Sequence, residues 1–307
     1  MDLRPAGTLN GISLCSGVAG LELGLKLALG DRYRCVVYVE REAYAAAALV
    51  ARVEDEALDS APIWDDLTSF DGKPWRGVVD IVSAGFPCQP WSVAGKRNRT
   101  DDPRWLWPQI LRIVKEVQPP FVFLENVSGL LGGGIQIVLE DLAAMGYDAE
   151  WGMFSAGAVG APHQRKRLFI LAYAEREPLE GTEPHRFWDG LSERIGDEGG
   201  EMANAEGGRH EARAVIGREA LADGGHNASR CREDLGVWPP APQDNERWGR
   251  LLGQFPELSP TLESDVRGMA DGVPDWVDRI RALGNAVVPL AAATAFVHLG
   301  KRARRNP

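Results

Sequence analysis

The stretch Ser13-Leu14-Cys15-Ser16-Gly17-Val18-Ala19-Gly20-Leu21-Glu22-Leu23-Gly24 decides how the chain is read. A short apolar run from Gly11 gives way to small residues and glycines, and apolar side chains then recur at helical spacing from Leu21 to Leu29. A strand that runs into a glycine-spaced turn and a helix lets backbone approach a ligand closely, and the helix N-terminus favours an anionic or carboxylate group. The glycines alone are equally well explained as a tight strand-to-helix connection. The next predicted strand ends in Glu40, roughly 20 residues on, where a carboxylate can bind the two hydroxyls of a ribose. Together the two features point to an adenosine-bearing ligand.

The alternation continues outward to Tyr173. Strands are predicted at Gly11 to Leu14, Cys35 to Val39, Val78 to Ala84, Phe121 to Glu125 and Leu168 to Tyr173, with helices at Leu21 to Leu29, Ala43 to Val53, Trp105 to Val117 and Ile135 to Met145. Strands separated by amphipathic helices make a parallel sheet covered on both faces, a doubly wound, Rossmann-like α/β layout. After Ala174 the texture changes to Gly, Glu, Arg and Asn, a composition that reads as partly mobile. From Arg267 a loop, a turn at Gly284 and Asn285 and a helix from about Pro289, whose fixed φ suits a first helical turn, close the chain. The expected division is a catalytic and cofactor-binding domain over 1–174, a smaller inserted variable region over 175–265, and a segment 266–307 that completes the first domain.

The 307 residues carry a net charge of −10, which argues against a polyphosphate partner until its distribution is considered. Between Glu175 and Glu263 there are 19 acidic and 10 basic residues, so nearly all the excess sits in one segment. Elsewhere basic clusters stand out at Lys96, Arg97 and Arg99, at Arg165, Lys166 and Arg167, and at Lys301, Arg302, Arg304 and Arg305. Cys15, Cys35, Cys88 and Cys231 show no paired CxxC spacing, against a zinc site or a disulfide framework. No apolar run has the length of a membrane span, and no export signal is read at the N-terminus, so a cytoplasmic protein without metal is expected.

Three further motifs carry chemistry. Ala84-Gly85-Phe86-Pro87-Cys88-Gln89-Pro90-Trp91-Ser92 follows a predicted central strand, which places Cys88 where ligands bind in open α/β sheets, on a loop stiffened by prolines. Most lone cysteines are packing residues; a thiolate at this edge is a nucleophile. Phe121-Val122-Phe123-Leu124-Glu125-Asn126-Val127 brings Glu125 to the same edge, as a proton donor raised by apolar surroundings or as a helix cap. In His163-Gln164-Arg165-Lys166-Arg167, a solvated charge run is the plain alternative, yet alternation along a strand points Arg165 and Arg167 to one side.

The ordered set SGVAG, FPCQPWS, LENV, HQRKR and GNAVVP resembles the DNA (cytosine-5)-methyltransferases of bacteria and their phages, from Leu9 to Ala174 and again from about Arg267. The resemblance implies an enzyme that moves a methyl group from S-adenosylmethionine to carbon 5 of cytosine. Cys88 would add to carbon 6 of a flipped-out base and Glu125 would protonate ring nitrogen 3. Arg165 would hold the base or its phosphate, and Arg167 would support that site. It implies cofactor contacts at Ser16, Gly17, Gly20, Glu40, Asp66, Pro87 and Asn285, with double-stranded DNA as partner, a possible cognate restriction endonuclease, and action as a monomer. The middle segment matches the place of the family's target-recognition region, where Trp238, Arg247, Trp248 and Arg250 are the DNA-facing candidates by composition. The motifs depart from the family at Cys15, where an aromatic is usual, at Ala19 for a glycine, at His163 for a glutamine and at Ala94 for a serine. Competing readings are a transfer-RNA methyltransferase, disfavoured by the long insertion and the missing CFT tripeptide, a non-catalytic DNA-binding relative, and a nucleotide-dependent oxidoreductase. The last leaves Cys88, Glu125 and the arginines without a task.

Overall fold

The computed structural model describes residues 8–87, 105–161, 163–174 and 285–305, with the single positions 246 and 250. In chain order the elements are β1 (Leu9–Leu14), α1 (Gly20–Leu29), β2 (Tyr33–Val39), α2 (Ala43–Glu54), β3 (Ile63–Trp64), β4 (Ile81–Gly85), α3 (Trp107–Val117), β5 (Phe121–Asn126), α4 (Gly134–Ala144), β6 (Tyr147–Ser155), β7 (Lys166–Ala174) and α5 (Pro289–Arg305). The strands form one sheet in the order β3-β2-β1-β4-β5-β7-β6. β1 to β5 run parallel, and β7 enters antiparallel between β5 and β6.

Each element follows from its residues. Period-2 alternation splits the strands between two cores. Ile12, Leu14, Val82, Ala84, Val122, Leu124, Leu168 and Ile170 pack beneath α3 and α4. On the other face Tyr33, Cys35, Tyr38, Ile81, Phe123, Phe169 and Leu171 pack beneath α1 and α5. A register shift between Gly11 and Ile12 leaves Val36 as the extra residue of β2, so that Cys35 and Tyr38 share one face while Val37 and Val39 share the other. Phe123 stacks on Phe169 at 5.7 Å and meets Phe296 of α5 edge-on at 5.2 Å. Removing the wholly buried Phe296 ring by alanine is expected to cost about 3–5 kcal/mol, read as a fall in the urea unfolding midpoint, because α5 would lose its anchor to the sheet.

The α/β layout agrees with the Rossmann-like expectation, and five strands and five helices lie where the periodicity puts them, but the sheet is mixed rather than all parallel, because the strand predicted at Leu168 to Tyr173 runs antiparallel to both its neighbours. The sequence reading missed two strands. β3 is only two residues long, and β6 is an edge strand whose apolar positions are interrupted by Asp148, Glu150 and Gly152. β4 starts at Ile81 rather than Val78, because Val78 is exposed and the Asp80 carboxylate is committed to the Asn10 N–H at 2.8 Å. No described helix is long and apolar enough to cross a membrane. The loop that carries Cys88, Ala94, Lys96, Arg97 and Arg99 lies outside the described residues, as do Cys231, Trp238, Arg247 and Trp248.

Candidate active site

The C-terminal ends of β1, β2, β4 and β5 meet at one edge, the place where open parallel sheets bind ligands. At the β1 end the chain turns sharply through Cys15 (φ 51°), Gly17 (φ 55°) and Ala19 (φ 61°) before entering α1. Left-handed geometry at Ala19 costs roughly 1–2 kcal/mol relative to the right-handed region. The turn is held by several contacts. Ser16 N–H donates to the Val39 carbonyl at 3.1 Å, Ala19 N–H to the Ser16 carbonyl at 2.8 Å, and Arg52 Nη1 to the Val18 carbonyl at 2.6 Å.

Glu40 closes this turn. One carboxylate oxygen accepts the Gly17 N–H at 2.6 Å and the other the Glu42 N–H at 2.7 Å. Each oxygen keeps a further lone pair for a hydroxyl donor. The Ser16 hydroxyl faces inward, toward Ser13 and the backbone of Val39. Asp66, half-buried after β3, accepts the Thr68 N–H and hydroxyl, both at 2.8 Å, and these bonds hold its carboxyl below the usual range.

At the β5 end, antiparallel register sets Glu125 opposite Phe169, so Arg167 sits diagonally beside the carboxylate. Arg167 Nε lies 3.0 Å from Glu125 Oε1, and both side chains are largely buried. Burial pushes the Glu125 carboxyl up to about 7, against the opposing pull of Arg167 and then Arg165. Neighbouring Gly85 lies against it: a Cβ there would stand 3.4 Å from Glu125 Oε2, an ordinary contact distance. Arg165, at φ 30°, turns away and donates to the Ala286 carbonyl. Desolvation and then the adjacent Arg167 lower its pKa.

Asn126 holds the end of the segment that leads toward Cys88. Its Nδ2 donates to the Phe86 carbonyl at 3.1 Å and its Oδ1 accepts the Val127 N–H at 2.8 Å. Phe86 is also clasped by the rings of Trp105 and Trp107, at 5.8 and 6.0 Å. Exposed Pro87 is therefore anchored at the catalytic edge, one residue before Cys88.

Residues 9–211 match the model of the C-5 cytosine-specific DNA methylase family. The chain belongs to the C-5 cytosine-specific DNA methylases. Among similar proteins, the Type II methyltransferase M.NaeI of Lentzea aerocolonigenes is 29% identical over 97% of this chain and 75% of its own length. M.NgoMIV of Neisseria gonorrhoeae is 31% identical over 52% of this chain and 50% of its own. The solved Dnmt2 methyltransferase of S. pombe is 22% identical over 56% of this chain and 52% of its own, with a TM-score of 0.45. The chain thus spans three quarters of one relative and about half of the others.

In this methylase the segment before α5 touches both halves of the edge. Ala286 receives Arg165, and the Val287 carbonyl covers Gly20, where a Cβ would stand 2.4 Å from it. Asn285, exposed, begins this segment. Gly20→Ala must displace backbone rather than a side-chain tip. It is expected to cost roughly 1–3 kcal/mol in thermal unfolding and to weaken cofactor binding in parallel.

The structure thus gathers Ser16, Gly17, Gly20, Glu40, Pro87, Glu125, Arg165 and Arg167 at one edge. Asp66 stands beyond β3, and Cys88 lies outside the described residues. Of the DNA-facing candidates, only Arg250 is described; it is half exposed and lies 3.9 Å from Glu246. Sequence reasoning missed Arg52 and Asn126. Arg52 reaches across 34 positions, for which no local pattern exists. Asn126 stands inside the LENV motif, where the adjacent acid drew the attention.

Proposed function

We propose that this methylase transfers a methyl group from S-adenosylmethionine to carbon 5 of cytosine in a specific sequence of double-stranded DNA, through a covalent Cys88 adduct on a flipped-out base. The reading casts it as the modifying partner of a restriction endonuclease or as a solitary or phage-borne enzyme, acting as a cytoplasmic monomer. The observation that carries the chemistry is Glu125, a buried carboxyl raised to about 7 beside Arg167. A group poised there gives up and regains a proton near neutral pH.

The β1 turn suits an adenosine-bearing sulfonium. Space around Gly17 is open to a ligand, since a Cβ there would meet nothing within 4 Å. Glu40 would hold the ribose hydroxyls with its remaining lone pairs, Asp66 would take the adenine amine, and Asn285 and Gly20 would bound the pocket. Bound S-adenosylmethionine supplies an electrophilic methyl group.

The residues of the chain activate the acceptor. A cytosine stacked in a duplex cannot reach a thiolate at this edge, so it is flipped out, at a cost of a few kcal/mol. Cys88 Sγ forms a bond to carbon 6 while Glu125 delivers its proton to nitrogen 3, which makes carbon 5 electron-rich. Once carbon 5 has gained the methyl group it gives its proton to a base, the sulfur–carbon bond breaks to release Cys88, and nitrogen 3 returns its proton to Glu125. Arg167 steadies Glu125, and Arg165 holds the base or its phosphate.

The test is to incubate the purified protein with S-adenosylmethionine and unmethylated genomic DNA and to map 5-methylcytosine at single-base resolution. Methylation confined to one short motif is expected. Cofactor binding without methylated DNA would overturn the assignment.

A further inference from the structure

The mechanism leaves the buried acid Glu22 without a task. Glu22 lies in the first turn of α1, facing the sheet, and is 2% exposed. Its Oε2 is buried with no hydrogen-bond partner. Its Oε1 lies 2.7 Å from the hydroxyl of Ser83 in β4. A free-standing buried carboxyl is expensive, so its persistence calls for a reason.

The hydrogen-bond inventory supplies one. Ser83 has a single hydroxyl proton but two acceptors within reach, Glu22 Oε1 at 2.7 Å and the Ile12 carbonyl at 3.2 Å. A proton on Glu22 resolves the shortfall: the acid donates to Ser83 Oγ, and Ser83 donates to Ile12. Burial raises the Glu22 carboxyl in that direction. Ser13 stands beside Ser83 on the neighbouring strand β1. Its hydroxyl donates to Ser16 Oγ at 2.7 Å, and Ser16 Oγ accepts the Val39 N–H at 3.2 Å, next to Glu40.

The arrangement therefore spans both halves of the site from below. Ser83 stands two residues before Gly85, which lies against Glu125, and five before Cys88. Ser16 is the second residue of the cofactor turn. We propose that the Glu22 carboxyl is a positioning group for methyl transfer, locking the end of β4 to the cofactor turn through Ser83, Ser13 and Ser16. The proposal rests on the reading that the turn holds S-adenosylmethionine and that Cys88 attacks.

Two substitutions separate this role from mere packing. Glu22→Gln keeps a donor for Ser83 and an acceptor beside it, and is expected to stay within about threefold of wild type in kcat and in KM for S-adenosylmethionine. Glu22→Leu keeps the bulk and removes the polar link. It is expected to raise that KM and lower kcat by roughly tenfold each, with the melting midpoint unchanged or higher. In the protein alone, without cofactor or DNA, backbone amide exchange at Gly17 and at Gly85 and Phe86 is expected to quicken in Glu22→Leu and not in Glu22→Gln. Wild-type kinetics and exchange in Glu22→Leu would overturn the proposal. If that variant does not fold, Ser83→Ala decides: slowed transfer with faster exchange at the turn supports the link, and unchanged values refute it. A wild-type protein that transfers no methyl group would instead refute the functional reading itself, while the exchange data would still report on the link.

Discussion

Alanine at position 88 is expected to lower methyl transfer by roughly 10³-fold or more while leaving cofactor and DNA binding nearly intact. Without the thiolate, carbon 6 receives no electron pair, and carbon 5 of an electron-poor ring is too weak a nucleophile to take a methyl group. Positioning and base extrusion survive the change, so the loss falls on kcat rather than on KM. A DNA duplex with 5-fluorocytosine at the target supplies an independent readout. Fluorine occupies the place of the proton that must leave, so the wild-type adduct cannot resolve and should persist on a denaturing gel. Cys88→Ala should give no such band. Full turnover in Cys88→Ala would sink the covalent mechanism.

Glu125→Gln should cost about 10²–10⁴-fold in kcat, the range expected for removal of a positioned acid. The pH profile carries more information than the magnitude. Glu125 must hold its proton to deliver it, and its carboxyl is raised to about 7, so activity governed by this group should fall as pH rises through about 7. In Glu125→Gln that limb should vanish. Stability should move with the same sign. The folded state holds a proton that the unfolded state releases near the ordinary value of 4.5, so the contribution is complete below 4.5 and is lost as pH climbs through about 7. That window corresponds to something on the order of 3 kcal/mol. Urea unfolding of wild type and Glu125→Gln at pH 5 and pH 8 checks it: only wild type should weaken across the interval, and equal slopes would show that Glu125 is not raised.

Much of the fold was legible because the apolar periodicities are strong. α3 announces itself through Ile110, Ile113, Val114 and Val117 on one side, and β5 through four apolar residues in succession. β3 and β6 were not legible, since one is too short to show a period and the other is an edge strand whose buried residues, Tyr147, Glu150 and Phe154, follow no two-residue period. The approach of Arg167 to Glu125 follows from strand alternation once β5 and β7 are known to be neighbours, which the sequence does not reveal. The divergence of Arg165 toward Ala286 breaks that alternation, because its positive φ redirects the side chain. The polar links from Glu22 to Ser83 and from Arg52 to Val18 join residues 61 and 34 positions apart, and no local rule foretells such pairs.

The reversed direction of β7 also governs how the polypeptide is routed. Ala174 leaves the sheet where β5 begins, with its N–H on the Pro120 carbonyl, whereas Ala286 and Val287 rejoin the molecule at the opposite rim, against Arg165 and Gly20. The nine residues of β7 make that separation about 30 Å. Any shortened version of the protein must therefore bridge the full height of the sheet. A connector of fewer than about nine residues, at 3.3–3.6 Å per residue, would pull α5 from its seat. Whatever joins β7 to α5 must pass from one rim of the sheet to the other.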